Sequence, residues 1–514
     1  MIKQILIGIF IILIVLVCTV LIRTFISNNK VTSHEAKPLQ LEGEFGKELM
    51  RFSGGIAIPT VSNRNYEAMD FEPFIRFGEY LEEAYPLIFR KLQHHRVNKY
   101  GIVLRWQGSN SSLKPLLFLS HYDVVPPGED TDETQRKHLT DTTGVFQVAD
   151  TPLPALDSVT ATWKYSPFSG AVTDGRIYGR GTLDMKNLLF SLLEASDKLI
   201  EENFTPARDI YFAFGFDEEV GGLQGAAKIA RYFKEKGLQF EAVYDEGGVV
   251  AAAGTAGIMQ DVALIGVAEK GKSSLEITVR GQGGHSSMPP RHTALGDAAR
   301  IIEQLENNQM KATLIRPVQD FLQNVSGGMP FTTRMAIANQ WLLKPLLIRG
   351  LAKDPVTNAM VRTTTAVTMA KGSDAANVLP STAEVVVNFR ILPGNTVEEV
   401  RKHVENQCEG YQVSIRSLGD AEPTLVSPTD SKGYEQLVKA IREVYPEALI
   451  TPYLTMGATD ARKYDNLSKN VYRFMPVLLT TADQGTIHNT NEFITVDNYK
   501  RMIYFYYTFI RNFD

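Results

Sequence analysis

Cysteine is almost missing from this chain: its 514 residues include two, Cys18 and Cys408. Two thiols build neither a disulfide framework nor a four-cysteine metal cluster, so a bound metal would need imidazole and carboxylate ligands. Histidine is also scarce, nine residues in all, and each can be weighed singly. There is no basic surplus. With 53 Lys and Arg against 58 Asp and Glu the formal charge is −5, which lacks the electrostatic footprint of nucleic-acid binding. No internal repeat and no low-complexity tract is visible. What remains is ordinary globular composition, 44% hydrophobic and 22% charged, enough for a large core and more than one domain.

One segment departs from that composition. Ile5 to Ile22 runs without a charge or a proline, and its length reaches the lower limit for a helix spanning a bilayer. Lys3 precedes it, as in a secretory signal, but no small-x-small cleavage site follows and the apolar run exceeds a signal core. The expectation is an uncleaved single-pass membrane anchor over 4–23. Arg23 and Lys30 follow the run, so the charge bias across it is weak. A short cytoplasmic tip with an extracytoplasmic catalytic domain is the favoured topology.

After a polar linker, Ser27 to Leu41, the pattern is α/β. Apolar runs at 115–120, 209–216 and 240–244 read as buried strands. Between them the leucines at 188, 189, 192, 193 and 199 make a helical stripe, and 222–236 reads as a second helix. Alternating strands and helices predict a mostly parallel sheet with helices on both faces. Near Gly266 the pattern changes. Strands at 273–280, 363–370, 384–392 and 411–418, with helices at 293–307 and 396–406, give the ferredoxin-like order β-α-β-β-α-β. The expected organisation is a catalytic domain over 40–265 and 420–514, with an inserted α+β lid over 266–419. The stretch 308–362 is long for its connection and reads as partly helical over 331–350. A last amphipathic helix is expected at 498–513.

Charged clusters follow the predicted strands, where open α/β sheets place their sites. They are His121-Tyr-Asp123, the glycine-rich turn ending in Asp184, Asp217-Glu218-Glu219, Asp245-Glu246 and, much later, His488. Each alone has a bland reading: a local hydrogen-bond pair, a solvated turn, a surface histidine. Together they match the inventory of a two-metal hydrolytic site, with imidazoles, a shared carboxylate, further carboxylates and a free base. His121 at a strand end can bind metal while Asp123 holds its other ring nitrogen. Asp184 is the natural bridging carboxylate. Of Glu218 and Glu219, one can bind metal and the other face the attacking water.

Nine stretches carry a resemblance, in order: LFLSHYDVVP (117–126), WKYSPFSGAVTDGRIYGRGTLDMKN (163–187), FGFDEEVGG (214–222), YDEGG (244–248), GQGGHSSMPP (281–290), NVLP (377–380), FRILPG (389–394), GATDAR (457–462) and IHNTNE (487–492). They resemble the zinc metallopeptidase family of acetylornithine deacetylase, succinyl-diaminopimelate desuccinylase, aminoacylase and carboxypeptidase S. The likeness is greatest to carboxypeptidase S and the N-fatty-acyl-amino-acid hydrolases. The resemblance implies two Zn2+, exchangeable with Co2+ or Mn2+, with Asp184 bridging. It implies Glu219 and His488 on one metal, His121 and Asp245 on the other, Glu218 as base and Asp123 orienting His121. It further implies that His285 binds the oxyanion, and that Arg390, Asn377, Gly457 and Thr459 hold the substrate. Asn489 stands where the family commonly has glycine.

The function expected is hydrolysis of an amide bond beside a free carboxylate, in peptides or N-acyl amino acids, by Glu-assisted attack of water. A homodimer through the lid is compatible with this reading. The alternatives are a zinc aminopeptidase and a catalytically inactive binding protein on the same scaffold. A blocked amino terminus on the substrate separates the first alternative from the carboxypeptidase. Loss of a ligand would mark the second, and no ligand type is missing.

Overall fold

The computed structural model describes residues 2–26, 45–128, 163–255 and 258–514. The expected linker 27–41 and the first residues of the expected catalytic segment lie outside the described residues. The chain divides into two units. One comprises residues 268–426 and 452–458 with the N-terminal helix, and the other holds the remaining described segments.

The larger unit is organised by a ten-stranded sheet. Nine of its strands follow the order Gln93–Val97, Gly101–Trp106, Ile210–Gly215, Leu116–His121, Ala242–Asp245, Val471–Arg473, Val262–Glu269, Val250–Ala251 and Leu478–Leu479. The centre is parallel: Leu116–His121 pairs in parallel with both Ile210–Gly215 and Ala242–Asp245, and Val471–Arg473 extends the parallel set. The flanks are antiparallel, at Gly101–Trp106 against Ile210–Gly215 and at Val471–Arg473 against Val262–Glu269. The sheet is therefore mixed: the strands that read as continuous apolar runs form its parallel centre, and Leu478–Leu479 adds a further parallel pair with Val250–Ala251 at one edge. Those runs are buried along their whole length, as strands covered on both faces must be.

The Lys186–Glu201 helix is buried at fourteen positions, Leu188, Leu189, Leu192 and Leu193 among them. It packs against the Val496–Arg511 helix, whose buried face carries Tyr499, Met502, Phe505 and Phe509. Phe52 stacks on Tyr499 at 4.6 Å between ring centroids, and Phe509 meets Phe118 of the central strand edge-on at 5.9 Å. Aromatic contacts of this kind add to the area they bury. The core thus fastens the chain's last helix to the strand that ends in His121.

The smaller unit contains a four-stranded antiparallel sheet in the order Thr364–Lys371, Thr382–Ile391, Gly271–Arg280, Val413–Ala421. With the helices Ala294–Asn307 and Val397–Gln407 this is the ferredoxin-like order. Leu275, Ile277, Val279, Val385, Val387 and Phe389 form its inner face, buried under Ile301, Leu305, Val400 and Val404. Their neighbours on the strands alternate outward, which sets the register. The 308–362 stretch folds as the helices Arg316–Val325, Phe331–Ala338, Gln340–Leu351 and Pro355–Val361. The N-terminal helix runs from Ile2 to Ile26, slightly longer than the apolar run that foretells it.

Candidate active site

The site gathers at the carboxyl ends of the central parallel strands. His121 ends its strand directly across from Gly215, two residues before Asp217-Glu218-Glu219. Its ring is buried. Nδ1 lies 3.0 Å from the backbone oxygen of Asp123 and 3.3 Å from Asp123 Oδ1. Asp123 does more than face that ring. Its two oxygens accept the backbone N–H groups of Glu218 at 3.0 Å and Glu219 at 3.1 Å. One carboxylate therefore fixes both the imidazole and the turn that carries the two glutamates.

On the other side of the ring, His121 Nε2 lies 3.1 Å from Asp184 Oδ1, 3.4 Å from Glu246 Oε1 and 3.9 Å from Glu218 Oε2. His488 Nε2 lies 2.9 Å from Asp184 Oδ2 and 3.1 Å from Glu219 Oε2. Asp184 thus presents one oxygen to each imidazole. His488 reaches this position from a left-handed backbone, φ +59°, a conformation that non-glycine residues seldom adopt. Asp184 is delivered by the turn 179–184, in which Gly181 has φ +91° and a Cβ there would lie 2.8 Å from Val124 Cγ1. Glycine is required at that point on both counts.

Two groups of potential metal-holding side chains result among the described residues: His121 with Glu218 and Glu246, and His121 with Asp184 and Glu219. Asp245 belongs to neither. Its Oδ2 accepts the backbone N–H of Ala461 at 2.7 Å. The residue after the expected ligand Asp245 is thus the one whose carboxylate lies near His121. Adjacent side chains at the end of a strand point to opposite sides, and Glu246 is the one that faces His121.

Electrostatics explains why this cluster suits cations. Burial, then the neighbouring Asp184 charge, pushes Glu219 up to about 7 and Glu246 up to about 8. Burial raises Glu218 well above the usual carboxylate range, against the pull of His121. Asp184 is desolvated too, yet hydrogen bonds from His121 and His488 hold it well below that range. His488 is driven up to about 10 by its bonds to Asp184 and Glu219. The four carboxylates Asp184, Glu218, Glu219 and Glu246 face two imidazoles, His121 buried and His488 half-exposed. Two divalent cations would balance that charge, and the donor types suit zinc.

Of two buried carboxylates outside the expected set, Glu492 ties the turn that carries Asp184, and Asp460 adds charge nearby. Glu492 is fully buried. Its Oε1 accepts the backbone N–H groups of Gly181, Leu183 and Asp184 at 3.0, 2.8 and 3.3 Å, and its Oε2 pairs with Arg180 at 2.6 Å. Asp460 is buried beside Thr459, and burial followed by repulsion from Asp245 holds its carboxyl well above the usual range. Both sit inside quoted motifs, but nothing in residue type or spacing reveals which backbone groups a buried carboxylate collects.

The expected substrate-side residues are placed as follows. Thr459 is buried and its hydroxyl accepts the N–H of Ala461, starting the Asp460–Tyr464 turn. His285, Asn377, Arg390 and Gly457 are exposed residues of the smaller unit. There His285 pairs with Val378 on a two-stranded ribbon, Ser286 N–H donates to Asn377 O at 3.2 Å, and Arg390 lies opposite Lys272 and Thr364 on the sheet.

Two histidines and four carboxylates gathered by strand ends and loops at one edge of a mixed α/β sheet are the donor set of a metallohydrolase. The chain belongs to the Peptidase family M20/M25/M40, which matches residues 154–512. It is an enzyme of that family, a metallopeptidase and amidohydrolase. Among its relatives is the N-fatty-acyl-amino acid synthase/hydrolase PM20D1 of Xenopus tropicalis, 36% identical over 510 residues, covering 98% of this chain and 93% of the relative. Carboxypeptidase S of Saccharomyces cerevisiae is 29% identical over 523 residues, covering 90% and 83%. The fold is similar to that of an M20 family metallo-carboxypeptidase from Sulfolobus solfataricus, at a TM-score of 0.62 and 18% identity over 91% of this chain and 99% of that one.

Proposed function

We propose that the chain is a dizinc amidohydrolase that cuts the amide bond beside a free carboxylate, in N-acyl amino acids or peptides. The observation that carries this reading is Asp184 offering one carboxylate oxygen to each of two histidines from distant parts of the chain, His121 and His488. Asp184 would bridge two metals. His121 and Glu246 would complete one, and Glu219 and His488 the other. When bound, the pair supplies Lewis acidity: a more acidic water and a polarised scissile carbonyl.

The protein's own side chains do the rest. Glu218, held next to His121 by the Asp123 clamp on its backbone, takes a proton from the attacking water and passes it to the leaving amine nitrogen. Asp123 keeps the His121 ring in one orientation. His285 stabilises the oxyanion, and Asn377 and Arg390 receive the substrate, with Arg390 pairing its carboxylate through a planar fork. Gly457 and Thr459 would themselves contact the substrate backbone. The names of the relatives point to both acyl classes, fatty acyl and peptidyl.

The Ile2–Ile26 helix, at a mean hydropathy of 3.5 over its most apolar window and with none of that window buried, acts as a bilayer span, with the catalytic part outside the cytoplasm. Co2+ or Mn2+ would substitute for zinc, and the smaller unit would mediate any homodimer.

The test is a hydrolysis panel of N-oleoyl and N-acetyl amino acids, blocked dipeptides and free-amino dipeptides, with and without chelator. Chelator-sensitive cleavage of substrates with a blocked amino end and a free carboxylate is expected. Cleavage restricted to free-amino substrates would transfer the chain to the aminopeptidases.

A further inference from the structure

The smaller unit carries an apolar surface for which amide hydrolysis has no use. The helices Phe331–Ala338 and Gln340–Leu351 leave Phe331, Trp341, Leu342 and Leu346 exposed, Trp341 at 56% and Leu346 at 60%. Leu342 and Leu346 are four residues apart and share a helix face, with Trp341 at its edge. Clustered exposure of large apolar groups marks a surface that meets something other than water. Residues 331–350 also contain three cations, Arg334, Lys344 and Arg349, and no carboxylate.

The level of this surface is set by the N-terminal helix. Asn339, buried between the two short helices, donates from Nδ2 to Val20 O and to Thr24 Oγ1, each at 3.1 Å. The rings of Phe25 and Phe331 lie 6.0 Å apart. The uncharged run ends at Ile22 and Arg23 follows it. At a rise of about 1.5 Å per residue, Val20 and Thr24 lie about 3 Å to either side of that end along the axis. The short helices are therefore fastened where the chain would leave the hydrocarbon. Aromatic side chains concentrate at that depth, and Lys and Arg extend from it toward phosphates.

We propose that the helices Phe331–Ala338 and Gln340–Leu351 form a second membrane contact, laying Phe331, Trp341, Leu342 and Leu346 into the interfacial layer of a phospholipid bilayer. Lys344 and Arg349 supply charge for the phosphate groups. This rests on the reading of 4–23 as a bilayer span and adds a surface-bound element to it. A lipid surface is favoured over a second copy of the chain for two reasons. The Asn339 bonds set the patch at the membrane boundary, and the two helices that form it carry cations without a carboxylate, the nearby Asp320 being paired with Arg316.

Tryptophan makes the test direct. The chain has three; Trp106 and Trp163 are 7% and 5% exposed, so Trp341 is the one open to lipid. The full chain is reconstituted in phosphatidylcholine vesicles with and without a phosphatidylcholine brominated at shallow acyl positions. Flotation at alkaline pH and tryptophan emission are then read together. The proposal expects the protein to float with the vesicles and to lose emission in the brominated ones. The Trp341→Phe variant should float equally and show no bromine-dependent loss.

Flotation without quenching in the wild-type protein would overturn the second contact and leave the span intact. If that were joined by a concentration-dependent dimer burying Trp341, the patch would belong to a second copy. Failure to float at alkaline pH would overturn the span, and the surface contact with it. The wild-type comparison needs no variant to fold, so the outcome does not depend on the substitution.

Discussion

Glu492 accepts a hydrogen bond from the backbone N–H of Asp184 at 3.3 Å. It stands four residues after His488, so the loop bearing one imidazole is tied to the turn bearing the carboxylate that this imidazole meets. The same Glu492 oxygen also receives Gly181 and Leu183, and the other receives Arg180.

Replacing Glu492 by Gln leaves the buried Arg180 guanidinium without its counter-charge and turns an amide toward backbone donors. Breaking a buried pair in this way costs about 3–5 kcal/mol. Denaturant unfolding should show a loss of that order. Competition with a chromogenic chelator should show zinc held roughly 10–100-fold more weakly, the usual effect of losing a group that orients ligands. An unchanged zinc affinity would reduce Glu492 to a purely structural role.

Glu218→Gln removes a proton acceptor and keeps the shape of the side chain. Zinc content by atomic absorption should match the wild type, while kcat falls by about 10²–10⁴. A zinc-replete Glu218→Gln enzyme with near-normal turnover would take Glu218 out of the base role.

The adjacent acids Asp245 and Glu246 can be told apart. Glu246 Oε1 faces His121, while Asp245 Oδ2 takes the N–H of Ala461. Glu246→Ala should lower bound zinc below two per chain. Asp245→Asn keeps an acceptor for Ala461 and should retain both ions. The reverse result would restore Asp245 to the metal.

A pH effect is expected away from the site. Burial pushes Glu194 up to about 7 although its oxygens meet Tyr85 and Arg51. A carboxyl raised above its unfolded value of 4.5 stabilises the fold fully below that pH. The contribution is lost as pH rises through the folded value. The wild type should therefore lose stability relative to Glu194→Gln between pH 4.5 and 7, by on the order of 3 kcal/mol. Paired melting curves across that range check it; parallel curves would mean that Glu194 is ionised throughout.

Much of the scaffold was readable because burial on both faces leaves uninterrupted apolar runs. The strand at 115–120 is seen as Leu116–His121 and the leucine stripe at 188–199 lies on the Lys186–Glu201 helix. The four-stranded sheet of the smaller unit was readable for a complementary reason, since a sheet with one covered face alternates, as Gly271–Arg280 does. The antiparallel flanks of the large sheet were not. Short strands such as Val250–Ala251 have no period to detect, and pairing direction is set by their neighbours.

Composition and motif order pointed, without coordinates, to an α/β metallohydrolase in which any bound metal would need histidine and carboxylate, since cysteine is too scarce and the acids follow the strands. The tertiary structure alone decided that Glu246 rather than Asp245 turns to His121, and that Glu492 ties together the loops of His488 and Asp184. Those outcomes depend on the direction in which a side chain leaves the backbone and on contacts between residues some three hundred positions apart. Residue type and spacing carry neither.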